Sequence, residues 1–182
     1  MNGSAAPAER GDGRPSPAAP ARRWLWLALG ATVALEVVLW RLNRPLVSAA
    51  APAGIVSFEL ARTVERSATI LASWSAEAHE DARVSLLVDY LFIVAYPAAL
   101  AFGCLTTAAR WPRFGGVSRA LAAGALVAGG LDAIENAALL VQLAHGATPT
   151  AALVAWGCAS VKFALVLLAL PVALPAIWVR AA

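Results

Sequence analysis

VSRALAAGALVAGGLDAIENAALLVQL, residues 117–143, decides the fold. The run is long and apolar enough to cross a bilayer, which takes ~20 residues of helix. Yet two acids and an amide lie well inside it. Asp132, Glu135 and Asn136 are spaced i, i+3, i+4, so they share one helix face. That spacing predicts a polar stripe aimed at the centre of a helix bundle. On what reads as the opposite face, Ala125, Gly129, Ala133 and Ala137 recur every fourth residue, the small-residue spacing that lets membrane helices pack closely. They are expected to pack within one chain or to join two chains as a homodimer.

Three other segments have the same apolar character: 24–42, 84–107 and 150–179. The 182-residue chain is 60% hydrophobic and 14% charged, with mean hydropathy +0.71. A soluble domain carries about a quarter charged residues. The expected fold class is therefore all-α: a four-transmembrane-helix bundle over residues 22–182, preceded by a disordered tail. That tail, residues 1–21, is rich in Pro, Ala, Gly and Ser and lacks aromatics. Small residues at 48–53 invite a signal-peptide reading of the first segment. Glu36 within the run, and Arg41, Asn43 and Arg44 after it, argue for an uncleaved span instead.

Arginine placement gives an orientation. Arg10, Arg14, Arg22 and Arg23, then Arg110, Arg113 and Arg119, then Arg180 fall at one side, which the positive-inside rule makes cytoplasmic. Both termini are then inside, and the 43–83 loop is outside. All seven tryptophans fall at predicted headgroup depth. Lysine occurs once, at Lys162, while arginine and alanine abound. That bias suggests a GC-rich bacterial genome and hence a bacterial inner membrane. The arginines form no stripe, so nucleic acid is not an expected partner. Cys104 and Cys158 fall at different depths and predict no disulfide.

In the outer loop, Leu60, Ala61, Val64, Ala68, Leu71 and Trp74 follow helical spacing. The reading is one amphipathic helix over 57–75, capped by Ser57, with Arg62 and Glu65 paired, lying on the outer surface of the bundle.

Ionisable residues occur in every span: Glu36, Asp89, Asp132, Glu135 and Lys162. At a rise of about 1.5 Å per residue, Glu36 lies about 6 Å below Trp40, and Asp89 and Lys162 about 9 Å below Arg83 and Trp156. Glu135 lies about 10–15 Å below the outer end of its helix. All five thus occupy the outer half or the midplane. An unpaired charge at mid-helix costs about 2.5–3.5 kcal/mol. The expected feature is an outward-facing carboxylate pocket of Glu36, Asp89, Asp132, Glu135 and Asn136, with Lys162 as counter-ion to one acid.

Several chemistries fit such a pocket. It would bind or conduct a cation, a proton or a polar lipid head, since intramembrane carboxylates mark such routes. Alternatively the acids and Lys162, helped by Tyr90 or Tyr96, would do acid/base work on a lipid or isoprenoid. A purely structural polar core is the third reading. Hard oxygen ligands suit Mg²⁺, Ca²⁺ or Mn²⁺, but His79 and His145 are remote from the acids, and no metal is assigned. H-E-x-x-H, G-x-S-x-G, C-x-x-C and P-loop motifs are absent. No catalytic residue and no cofactor is therefore assigned; the bilayer and a small ion or lipid ligand are the expected partners.

FELARTVERSATILASW (58–74), VDYLFIVAY (88–96), LDAIENAALL (131–140) and VKFAL (161–165) together resemble a group of small bacterial four-helix integral membrane proteins. The resemblance runs over about residues 24–178 and implies the architecture, with no activity attached.

Overall fold

Ala- and Leu-rich segments favour helix, and in lipid a lone segment must bond its own backbone internally. The computed structural model describes residues 18–178. In chain order its helices are α1 (Ala18–Asn43), α2 (Ile55–Glu59), α3 (Val64–Ser73), α4 (Ala76–Arg110), α5 (Gly115–His145) and α6 (Pro149–Ala173). Among the described residues, four stretches are long and apolar enough to cross a membrane: Arg23–Leu46, Ala76–Arg110, Pro112–His145 and Pro149–Ile177. The chain is an all-α four-helix bundle. Residues 18–21, expected in the tail, already belong to α1. The rest of the tail and Arg180 lie outside the described residues.

Local signals set the helix ends. Ser75 Oγ accepts from the Ala78 N–H at 3.2 Å, and Thr148 Oγ1 from the Ala151 N–H at 3.3 Å, with Pro149 opening α6. Pro112 starts the 3-10 turn that links α4 to α5, and Pro175 lies in the 3-10 turn Leu174–Ile177 that ends the fourth span. Pro97 and Pro171 lie inside α4 and α6.

α4 is the hub. It packs along α1, α5 and α6, and α5 packs along α6. Among the described residues α1 rests on α4 and has at most slight contact with α5 and α6. Towards the Arg110 end, Thr107 Oγ1 donates to the Val172 carbonyl at 2.8 Å, joining α4 to α6.

Gly129 marks where α5 meets α4: a Cβ there would stand 2.8 Å from Pro97 Cγ. Gly129, Asp132 and Asn136 are spaced i, i+3, i+7, so the small residues adjoin the acidic stripe rather than oppose it. Ala125 is buried in a core with Tyr96, Cys104 and Ala169, the Tyr90 hydroxyl donates to the Ala133 carbonyl at 3.3 Å, and Ala137 is exposed.

The segment between α1 and α4 departs from expectation. It is two short helices, broken at 60–63, not one helix over 57–75. Arg62 adopts φ 60°, and the Thr63 N–H closes a tight turn onto the Ala61 carbonyl at 2.7 Å. Positive φ is strained for a side chain of this size; Arg62 is held with its guanidinium 4.7 Å over the Trp156 ring. It therefore stands outside the helix that carries Glu65. Ser57 is not a cap: its Oγ accepts from the Ala53 N–H, and the cap of α3 is Thr63. Gly54 precedes α2 at φ 60°, where an added Cβ would collide with Asn43, whose Oδ1 accepts from the Ile55 N–H at 2.7 Å.

The break resets the helical phase, so the buried face matches the expected one only in part, at Ala61 and Trp74. Phe58, Ile70 and Trp74 are buried, whereas Leu60 and Ala68 are exposed. These three join Leu46, Leu86 and Leu139 in one core. The segment is thus a cap sunk into one end of the bundle. Trp74, expected at the headgroup layer, lies inside this core and donates from Nε1 to the Leu46 carbonyl at 2.8 Å.

Candidate functional site

The short α2 carries Glu59 into the bundle, where it contacts α5 and α6. Its carboxylate meets Lys162, which lies about 20 Å along α6 from Pro149. Lys162 Nζ is 2.8 Å from Asp132 Oδ1, 2.9 Å from Glu135 Oε2 and 3.6 Å from Glu59 Oε2. All four side chains are buried. One turn aside, Asn136 Nδ2 donates to Asp89 Oδ2 at 2.7 Å and to the Leu86 carbonyl at 3.3 Å. Asp132 and Asn136, one turn apart on α5, thus tie α6 and α4 into one network.

Lys162 therefore serves three carboxylates rather than one. Counting Asp89, four acids surround a single ammonium. Glu59 Oε2 and Glu135 Oε2 are buried beside the Lys162 ammonium, and neither accepts a hydrogen bond of good geometry. Burial pushes the Glu59 carboxyl above its ordinary range, against the pull of the Lys162 charge. Among the described residues no group of His, Cys, Asp or Glu is arranged to hold a metal ion; the ammonium stands where a cation would sit between the carboxylates.

The network opens onto a cavity of about 480 Å³, within the usual size of a ligand pocket. Its polar end is formed by Asn43, Glu59, Ser85, Asp89, Asp132 and Lys162. Tyr96 lies deeper. It is 7% exposed, and its hydroxyl, beside Asp132, makes no hydrogen bond of good geometry. Beyond it the walls turn aliphatic, with Leu25 and Leu29 on α1 and Val166 and Leu170 on α6.

The sequence-derived residues divide into three groups. Asp132, Glu135 and Lys162 form one ion cluster, and Asp89 with Asn136 forms the adjoining pair. Glu36 lines the same cavity but is exposed, at its rim on α1. Glu59 is the member of the cluster that is absent from the sequence-derived pocket. The signal that would have found it is its position between Phe58 and Leu60 on a segment too apolar to be all surface.

Comparisons with protein families, curated proteins and solved structures found no match.

Proposed function

We propose that this chain is a multi-pass membrane protein, both termini cytoplasmic, that binds a ligand with a cationic head in the carboxylate network below the cap. The observation that carries this reading is the charge balance at an accessible site. Four carboxylates lie about one lysine, and three of them, Glu59, Asp89 and Asp132, line a cavity. A network that served only to fix helix register would be closed and satisfied, because unpaired buried polar groups destabilise it. Binding is favoured over conduction, since a proton route needs polar groups along its length and the cavity wall at Leu29, Val166 and Leu170 is aliphatic.

Asp89→Asn tests this reading without disturbing the lysine cluster. The amide keeps the shape of the side chain and an oxygen for Asn136, but removes one charge from the cavity wall. Native mass spectrometry of protein released from native membrane should show a bound species on the wild type. The variant should carry at least about 10-fold less of it, the effect of losing one charged hydrogen bond, with unchanged thermal unfolding. Equal occupancy on both proteins, or no bound species on either, would contradict the proposal.

A further inference from the structure

Resting on that reading of the head group, we infer that the ligand is a single-chain amphiphile with an amine head, which enters sideways from the bilayer between α1 and α6.

The cavity has the shape of such a molecule. Its carboxylates lie at the cap end, and its opposite arm is aliphatic. From Glu36 to Leu25 along α1 that arm runs for about 16 Å, with Val166, Leu170 and Ile177 facing it. A volume of about 480 Å³ shared between a polar chamber and this long arm leaves room for one hydrocarbon chain.

Charge selects the head. Four carboxylates around one ammonium repel a phosphate or a carboxylate and attract a cation. An amine also supplies N–H donors for the carboxylates of Glu59, Asp89 and Asp132, which line the cavity wall.

The route follows from packing. Along the bundle axis the cap closes the cavity, with Phe58 1% and Trp74 6% exposed. Sideways, α1 has at most slight contact with α6. Glu36 is exposed at that gap, within an otherwise apolar span, and pairs with no cation among the described residues. A carboxylate facing lipid is costly; at the gap it meets an incoming amine first.

The test uses tetradecylamine, butylamine and myristate as probes, titrated onto the full-length protein in nanodiscs and read by native mass spectrometry. On the wild type, tetradecylamine should bind at least 10-fold more tightly than butylamine, and myristate more weakly than tetradecylamine. Val166→Trp and, on the facing wall, Leu29→Phe fill the aliphatic arm without touching a charge. Either variant that unfolds at the wild-type temperature should bind tetradecylamine no better than butylamine, with butylamine unchanged. Butylamine binding as tightly as tetradecylamine, or tetradecylamine undiminished by both substitutions, would overturn the amphiphile while leaving the cationic head group standing. Myristate equal to tetradecylamine would overturn the amine. Failure of both amines on the wild type would sink the head-group reading as well.

Discussion

Lys162→Met is expected to lower the stability of the bundle by about 3–5 kcal/mol, the cost of breaking a buried ion pair by deleting one partner. Asp132, Glu135 and Glu59 would lose their common cation in the middle of the helix bundle. The loss should be smaller at pH 5 than at pH 8. Burial already holds the Glu59 carboxyl above its ordinary range, and without Lys162 nothing opposes it. The folded chain then keeps a proton that the unfolded chain releases near ~4.3. Folding takes up that proton, so stability falls as pH rises above the unfolded value. Denaturant unfolding of the detergent-solubilised variant at the two pH values measures this. Adding Glu135→Gln should restore part of the loss, because it removes one stranded acid. A midpoint equal to wild type at pH 8 would mean that Lys162 is not the common partner.

Phe58→Ala carries the second large effect, again about 3–5 kcal/mol for a large side chain deleted from a packed core. Phe58 is 1% exposed and meets Trp74 edge to face, with ring centroids 5.5 Å apart. It is also the neighbour in sequence of Glu59, so the packing of one positions the other. Loosening Phe58 should free α2, and hydrogen exchange should rise across 55–60 while the amides of α5 around Asp132 remain protected. Unchanged exchange across 55–60 would show that Glu59 is held by its charges alone.

The spans were legible because a bilayer imposes a strong and simple rule: a run of apolar residues long enough to cross must be helix. Asp132, Glu135 and Asn136 were legible for a related reason, since polar side chains in such a run have few places to go. The cap was not. Leu60, Ala61 and Val64 satisfy a helical period on paper, and no Gly or Pro between Leu60 and Thr63 announces a break. The turn at Arg62 is stabilised by Trp156, almost a hundred residues away in sequence, and tertiary contact of this kind overrides local spacing. With the helix broken there, the short α2 is free to carry Glu59 into the ion cluster. The relation of the small residues to the acidic stripe was, by contrast, readable from spacing alone. Gly129 and Asp132 are three apart and cannot oppose each other on a helix. What no spacing revealed is the slight contact between α1 and α6, because it depends on how α1 leans on α4 rather than on any residue within it.

Lys162 is the only lysine in the chain, so a sample labelled with ¹⁵N-lysine and ¹³C-labelled Asp and Glu gives one assignable ammonium in the bilayer. Dipolar recoupling from that nitrogen to side-chain carboxyl carbons tests directly whether the cap and the intramembrane acids form one site. The expected result is close contact with Asp and with Glu carboxyls, the Glu signal weakening but not vanishing in Glu59→Gln, as Glu135 remains. A Glu contact unchanged by Glu59→Gln would contradict the union of cap and cluster, and a lysine with no carboxyl contact would contradict the site itself.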